Sequence, residues 1–417
     1  MSTPESPIVP SAAALLRNRD YMLFWFTRFF STLGVQIESV TIGWQVYAVA
    51  RLSRSVQEGA LLVGMVGLLQ FLPVFALTLI AGETADRLTR KYVILASMAV
   101  EIAVVFVLAV LALHPTPSLT AIFIAAGLFG AARAFLSPAS GALGPMLVER
   151  AMLPRAIAWN SLAWQSGSIA GPWLGGLLCA ASPRWGYIAA GGLYVASALC
   201  VASIRQNTKP AAQPGSRMEL IREGLHYVWT NRIVLGAISL DLFAVLLGGA
   251  TALLPVFARD VLHVGAEGFG ILRSGPAIGA AAMALLLARK PIQRHAGTWM
   301  FAGVAIFGLA TIVFGLSKSL WVSVIALAVL GAADMVSVYV RQTLVQIVTP
   351  DHMRGRVSAV SGLFIGASNE LGEFESGVVA RLLGPVGAAI FGGVGALVVT
   401  GVWAKLFPAL RNADRLG

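Results

Sequence analysis

GETADRLTRK, residues 82–91, places five ionisable side chains between two long apolar segments. The chain around it is 57% hydrophobic and 12% charged, whereas a soluble domain has about 25% charged residues. Charged residues are therefore scarce, most of them lie in short connections, and the long apolar segments suit a lipid bilayer. Because a membrane-spanning helix needs about 20 apolar residues, this hydrophobic content predicts about twelve such helices.

Twelve apolar segments are visible along the chain, and we predict that each is a transmembrane helix. They lie at residues 21–49, 59–81, 92–113, 119–141, 156–181, 185–203, 233–257, 268–288, 297–316, 319–345, 357–380 and 383–407. The predicted fold is an all-α membrane protein with twelve transmembrane helices in two pseudo-symmetric six-helix bundles. We expect an N-terminal bundle over residues 1–204, a cytoplasmic linker with an amphipathic helix over 205–231, and a C-terminal bundle over 232–417. Two parallel six-helix repeats are typical of transporters, which hold a small-molecule substrate between the halves.

The distribution of lysine and arginine predicts the orientation of the chain. Most of these residues, including Arg87, Arg90 and Lys91, fall in connections on one side of the predicted topology. Loops rich in Lys and Arg lie on the cytoplasmic side of a membrane. We therefore expect a multi-pass protein of the inner (plasma) membrane with both termini in the cytoplasm. The first apolar segment is too long for a signal-peptide core, so we expect it to remain in the mature chain.

Several classes of function have no support in the sequence. Motifs for zinc hydrolysis, phosphate binding or a nucleophilic serine are missing, and Cys179 and Cys200 lie in apolar segments where cysteine acts as a small hydrophobic side chain. The net charge of +11 is spread over loops and does not form a basic stripe with aromatic residues. We expect no enzyme activity, cofactor, metal or nucleic-acid partner. A receptor that binds a ligand without moving it, or a membrane-embedded enzyme, is the alternative outside the transporter class.

The opening stretch also carries a family resemblance. Its Gly82, Asp86, Arg87, Arg90 and Lys91 resemble the G-x-x-x-D-R-x-x-R-[RK] signature of the major facilitator superfamily, although Thr89 stands where that family usually has Gly. The resemblance implies that Asp86 and Arg90 help to hold one gate of a transporter closed. A charge cluster that only sets the topology is the alternative.

A second motif, GSIAGPWLGG at residues 167–176, is rich in glycine around a proline. Small residues at this spacing allow another helix to approach closely. The stretch also resembles the antiporter motif of the same superfamily, which implies export; Ala158 replaces the upstream glycine of its longer form. The motif residues are Gly167, Gly171, Pro172, Gly175 and Gly176. Weak similarity between the two halves places Gly176 opposite Gly377.

Three further stretches resemble the enterobactin exporter branch of the superfamily. They are LPVFARDVL at 254–262, RQTLVQIVTPDHMRGRVSAV at 341–360 and SNELGEFESG at 368–377. This resemblance implies a secondary active transporter that exports a siderophore-like or lipophilic molecule in exchange for protons. A broad multidrug/proton antiporter is the alternative within the class.

A polar stripe runs along the first apolar segment. Its members recur at helical spacing and are Thr27, Ser31, Gly34, Glu38, Thr41 and Gln45. We expect this stripe to line a central cavity, with polar packing against a neighbouring helix as the alternative.

Charged residues inside apolar segments face protein or water because exposure to lipid is costly. The cavity or proton-coupling candidates are Arg28, Glu38, Arg133, Asp241, Asp334, Glu370 and Glu373. Repeat similarity places Arg28 opposite Asp241 and predicts a salt bridge between the halves. Arg133 and Asp334 form another equivalent pair, and Glu101 is an alternative, static partner for Arg133. Glu370 and Glu373 share a helix face and repel each other, so one of them is a possible proton carrier unless both reach the outer headgroups.

Overall fold

The computed structural model describes residues 12–208 and 217–414 of the chain. Within these ranges every regular element is a helix, which confirms the all-α prediction. The middle of the predicted linker, residues 209–216, lies outside the described residues, as do residues 1–11 and 415–417.

Six long helices form the N-terminal bundle. They are α1 (Arg19–Ala50), α2 (Val56–Arg87), α3 (Arg90–Leu111), α4 (Leu119–Leu143), α5 (Leu153–Ala181) and α6 (Pro183–Ala202). A short helix, Ala12–Arg17, precedes α1, and two short 3-10 turns, Gly144–Leu147 and Arg150–Met152, connect α4 to α5. Side chains begin the helices where the sequence supplies them: the Asn18 side chain accepts a hydrogen bond from the Tyr21 amide, and Ser55 forms a capping box with Glu58.

The C-terminal part begins with α7 (Arg217–Thr230), which lies where the amphipathic helix was predicted. The long helices that follow are α8 (Arg232–Leu247), α9 (Gly265–Arg289), α10 (Ala296–Leu316), α11 (Leu320–Val348) and α12 (Asp351–Leu406), and a short helix, Pro408–Arg411, ends the described chain. Gly384 divides α12 into two arms because its φ of +76° leaves the helical region.

The helix α8 is interrupted as well. After Gly248 and Gly249 the chain continues through a 3-10 turn (Ala250–Leu253), a short helix (Leu254–Val256) and a π-helical turn (Phe257–Val261). At Gly249 the carbonyl oxygen of Gly372 in α12 would lie 2.3 Å from a Cβ, so only glycine fits this approach.

Nine helices of the described chain have the length and hydropathy of a membrane span. With α1 and α5 added and the two arms of α12 separated, they correspond to the twelve predicted segments. In the N-terminal bundle α1 packs against α5 and α6, α2 against α4, and α3 against α4 and α6. In the C-terminal bundle α11 packs against α9 and α10, and α12 against α8 and α10.

Two helix pairs join the bundles, α2 with α12 and α5 with α9. In the first pair Gly64 lies against Gly377, and in the second Gly270 lies against Gly176. The two contacts are equivalent under exchange of the bundles, as the sequence similarity between Gly176 and Gly377 predicted. This arrangement confirms the pseudo-symmetric architecture.

Candidate functional site

The bundles meet at one end of the helices, which we call the Asp260 end. Asp260, in the π-helical turn after α8, accepts a hydrogen bond from the Tyr47 hydroxyl of α1. Its other carboxylate oxygen lies 3.3 Å from Arg51 Nη2, and this hydrogen bond is the main cause that raises the pKa of the Arg51 guanidinium. Close by, the rings of Trp44 and Phe269 stack with centroids 6.0 Å apart. Polar and aromatic contacts therefore close this end.

Glycine contacts bring the backbones together at the same end. A Cβ on Gly64 would lie 3.0 Å from the Gly377 Cα, and a Cβ on Gly176 would lie 2.6 Å from the Gly270 Cα. Neither pair has room for a side chain, and close backbone approach is the usual role of small residues in membrane helices. Helix packing adds to the closure.

Toward the other end, which we call the loop end because it carries residues 82–91, the helices separate. The α12 face that holds Glu370 and Gly377 continues at helical spacing to Gly366 and Gly362. A Cβ at either glycine would meet no described atom within 4 Å. On the facing side of α2, Phe75 is 62% exposed. A cleft between the bundles thus opens toward the loop end.

Charged side chains lie where the bundles begin to separate. Arg133 Nη1 of α4 is 3.7 Å from Glu370 Oε1 of α12, an ion pair that joins the two bundles. Arg273 Nη2 of α9 is 3.7 Å from Glu373 Oε1, and its Nη1 donates to the Thr251 carbonyl at the interruption of α8. Glu370 and Glu373 therefore face arginines rather than lipid headgroups. The alternative ion pair of Arg133 with Glu101 is not the one that forms.

The polar stripe of α1 faces α6 and not the cleft. The Tyr194 hydroxyl donates to Glu38 Oε2 at 2.6 Å and the Tyr187 hydroxyl donates to Gln45 Oε1 at 2.6 Å. Glu38 is fully buried. The cavity-lining interpretation is wrong for this arrangement, and polar packing is correct. The sequence also contained the polar face that packs against this stripe, because Tyr187, Tyr194 and Ser197 lie on one face of α6.

The predicted salt bridge between Arg28 and Asp241 is also wrong. Arg28 Nη1 donates to Ser140 Oγ of α4 at 3.4 Å, and Asp241 Oδ2 lies 3.4 Å from Arg341 Nη2 of α11. Each residue finds its partner within its own bundle. Residues related by pseudo-symmetry meet only when both lie beside the symmetry axis, which similarity between repeats does not establish.

The basic residues of the 82–91 loop bind ends of neighbouring helices. Arg90 Nη1 donates to the Ala142 carbonyl of α4 at 3.0 Å. Lys91 Nζ donates to the carbonyls of Ala202 and Ile204 at the end of α6, both at 2.7 Å. A cation at a helix C-terminus is favourable because the last carbonyls lack intrahelical partners. The loop therefore ties together the ends of α4 and α6.

The remaining motif residues of this loop lie at the end of α2. Gly82 is buried and Asp86 occupies the last turn of the helix, while Arg87 pairs with Glu83 one turn earlier at 2.5 Å. Thr89 precedes α3 as its N-cap residue, but its side chain makes no capping hydrogen bond.

The glycine-rich motif of α5 has two packing faces. Gly167, Gly171 and Gly175 lie against α1, where a Cβ on Gly171 would come 2.5 Å from the Gln36 Cβ. Gly176 lies against α9 of the other bundle, as does the carbonyl of Pro172. The motif thus connects packing within one bundle to the closed Asp260 end.

The chain is similar in sequence to a described protein family and to known proteins. A family model described as "Transmembrane secretion effector" matches residues 10–416. The enterobactin exporter EntS of Escherichia coli O81 (strain ED1a) is 31% identical over 359 residues, which are 85% of this chain and 80% of the relative. The same exporter of Shigella boydii serotype 18 (strain CDC 3083-94 / BS512) is 30% identical over the same shares.

Solved structures share the fold at lower identity. A D-xylose-proton symporter matches with a TM-score of 0.69 and 12% identity, over 94% of this chain and 98% of that one. A bacterial homologue of the iron transporter ferroportin, in an inward-facing state, matches with a TM-score of 0.67 and 17% identity, over 94% and 99%.

Proposed function

Because the chain belongs to the transmembrane secretion effector family of the major facilitator superfamily, it is a multi-pass membrane transporter, and we propose that it exports a small molecule from the cell by proton antiport. Its similarity to enterobactin exporters over most of both chains favours a siderophore-like or lipophilic substrate. The site residues fit a protein that binds and moves a ligand between two bundles.

One observation carries the proposal: the cleft is closed at the Asp260 end and open toward the loop end. The same face of α12 touches α2 at Gly377 and stands free of it at Gly366. Alternating access needs such an asymmetric state, together with a second state in which the closed end opens. Contacts at the Asp260 end include one carboxylate with two partners, one pair of stacked rings and two pairs of glycines, and all of them are non-covalent contacts that can separate in the second state.

We assign the loop end to the cytoplasm, since most basic connections lie there. Both chain termini then lie in the cytoplasm of a cell whose inner membrane holds the protein. In this orientation the described state is open to the cytoplasm and receives its substrate from inside. Asp86 and Arg90 would hold the loop end closed in the opposite state, as their match to the superfamily signature implies.

The predicted two-bundle division with its linker at 205–231 is consistent with this mechanism. The first described part of the linker, residues 205–208, is bound to the N-terminal bundle, where the Gln206 amide donates to Asp20 Oδ2 at 2.8 Å. The second part, α7, packs on the C-terminal bundle, where the Tyr227 hydroxyl donates to the Val348 carbonyl at 2.9 Å and Glu223 pairs with Arg356. The two described parts of the linker thus contact different bundles, and α7 also approaches α2 of the N-terminal bundle.

Proton coupling requires a carboxylate that changes protonation between states. The carboxylates predicted from the sequence as proton carriers have different neighbours. Glu370 and Glu373 face arginines at the cleft, Asp241 pairs with Arg341, and Glu38 is enclosed by α6. Arg133 connects one of these acids to the opposite bundle, so a change in its ion pair with Glu370 would affect the contact between bundles.

Export is tested with purified full-length protein in proteoliposomes that enclose a pH-sensitive dye. We expect enterobactin, as a catecholate siderophore, to drive proton movement, and Asp241→Asn or Glu370→Gln to reduce it. Proton movement with tetraphenylphosphonium as well would indicate the multidrug/proton antiporter, the second function of the same class. Ligand binding without proton movement in any variant would contradict antiport and indicate a uniporter or a receptor.

A further inference from the structure

A small cavity lies inside the C-terminal bundle, away from the cleft contacts described above. Its walls come from α8, α10 and α11, and its polar lining consists of Asp241, Asp334 and Ser337. Hydrocarbon side chains, among them Val304 and Phe307, form the other walls. The volume of about 10 Å³ holds the centre of one water molecule. Space for one polar guest therefore exists beside two carboxylates.

The groups around the cavity lack partners that a water molecule would supply. Ser337 Oγ is buried, lines the cavity and has no hydrogen-bond partner among the described residues. Nearby, Arg341 uses Nη2 for Asp241, whereas its Nε and Nη1 remain without partners in the described part of the chain. Buried polar groups are nearly always satisfied by protein or by ordered water. A water molecule bound at this position would provide the hydrogen-bond partner of the Ser337 hydroxyl.

The charges around the cavity do not balance if every group is ionised. Asp334, Ser337 and Arg341 lie on one face of α11, and Asp241 faces them from α8, so two carboxylates share one guanidinium. The neighbouring helix α10 carries no ionisable side chain. On α12, Glu370 and Glu373 are paired with arginines from α4 and α9. One excess negative charge would thus remain inside the membrane, which is costly unless a proton or cation neutralises it.

The surroundings favour a proton over a metal cation. A sodium or calcium ion needs a shell of oxygen ligands, but here the hydrocarbon walls and the adjacent Arg341 guanidinium oppose a second cation. Asp334 keeps more accessible surface than Asp241 and Arg341, which are buried, so Asp334 is the better placed of the two carboxylates to exchange a proton. In the N-terminal bundle, by contrast, Glu38 and Glu101 are both 0% exposed.

We propose that Asp241 and Asp334, bridged by one water molecule that also hydrogen-bonds Ser337, hold the transported proton in the C-terminal bundle. The role of this site in transport rests on the proposed antiport. Uptake adds one proton to a carboxylate and forms a neutral carboxyl group, and release restores the carboxylate. Asp334 exchanges the proton with the aqueous side, and the bridging water relays it to Asp241, which the Arg341 guanidinium contacts.

Infrared difference spectroscopy tests the site without substrate. Purified full-length protein in lipid nanodiscs is titrated across neutral pH, and the carbonyl stretch of protonated carboxyl groups is recorded. We expect a pH-dependent band that Asp334→Asn removes and that Ser337→Ala shifts in frequency, because the alanine removes one hydrogen bond to the bridging water. Glu101→Gln is the matched control, since it removes a buried acid of the other bundle and should leave the band in place.

A band that survives Asp334→Asn and disappears in Glu101→Gln would overturn the assignment, as would a band that responds to sodium rather than to pH. Ser337→Ala keeps both carboxylates, so an unchanged frequency in this variant would overturn the water bridge even if Asp334→Asn fails to fold. Proton movement in proteoliposomes is recorded in parallel. If the wild type moves no protons but its band depends on Asp334, antiport is refuted and the protonated pair stands. If protons move but the band is independent of Asp334, antiport stands and the assignment of the proton to Asp241 and Asp334 is refuted.

Discussion

Gly64 of α2 and Gly377 of α12 face each other across the boundary between the two bundles, so closely that a Cβ on either would lie 3.0 Å from the Cα of the other. The equivalent helices of the other side, α5 and α9, repeat the contact through Gly176 and Gly270. Closure at the Asp260 end thus includes two positions where only glycine allows the backbones to approach this closely. Because the backbones of the two bundles touch at these positions, an added side chain acts directly on the contact between them.

We expect Gly64→Ala to shift the protein toward the state that is open at the Asp260 end. The new methyl group would meet backbone atoms of Glu373 and Gly377, and overpacking of this kind costs about 1 to 3 kcal/mol. A shift of that size changes a two-state equilibrium constant about 5- to 150-fold. Distances between spin labels on the two bundles measure it. Gly192→Ala is the control, because a Cβ there meets no described atom within 4 Å; equal distances in both variants would contradict the prediction.

Asp260→Asn should also favour opening at that end. The substitution keeps the shape of the side chain but weakens the hydrogen bond from Tyr47 and the ion pair with Arg51. Partly exposed ion pairs contribute about 0 to 1 kcal/mol, so we expect an effect of severalfold at most from this pair. Accessibility of a cysteine placed at the Asp260 end reports the population. Tyr47→Phe, which removes only the hydroxyl, should give a smaller change in the same direction, and protection of the cysteine would be the opposite result.

Tyr194→Phe should destabilise the N-terminal bundle. It leaves the buried Glu38 carboxylate without its tyrosine hydroxyl donor, and an unsatisfied buried group costs about 1 to 3 kcal/mol. A lower Tm in detergent is the expected observation. Tyr92 is 67% exposed, so Tyr92→Phe serves as the matched control with an unchanged Tm. If both variants melt alike, the hydrogen bond between α1 and α6 does not contribute to stability.

Lys91 and Arg87 belong to the same motif but should differ in their contribution to stability. Lys91→Met removes the cation from the end of α6, where such an interaction contributes about 0.3 to 1 kcal/mol. Arg87→Met removes an exposed ion pair with Glu83 within one helix, which contributes about 0.5 kcal/mol or less. Thermal unfolding should therefore show a larger loss for Lys91→Met. A larger loss for Arg87→Met would mean that contacts other than those of Lys91 attach the start of α3 to the end of α6.

Long apolar segments were sufficient to predict the helices. A run of about 20 apolar residues forms a helix in lipid because its backbone hydrogen bonds must be satisfied within the segment, independently of its neighbours. The six-plus-six arrangement followed from the same runs and the polar connection between them, and even the equivalence of Gly176 and Gly377 was visible in the repeats. The break at Gly384, inside what is otherwise one continuous helix, is the second residue of the predicted segment 383–407 and lies two residues after the predicted gap at 381–382.

The partners of the polar residues were decided only by the tertiary structure. The α1 stripe has the same periodicity whether it faces water or the tyrosines of α6, and Asp241 has the same position in α8 whether its partner is Arg28 or Arg341. Helical spacing determines which residues share a face, because every residue turns by the same angle. Which neighbour that face meets depends on how helices distant in sequence rotate and cross, and close packing at positions such as Gly64 and Gly377 determines those angles.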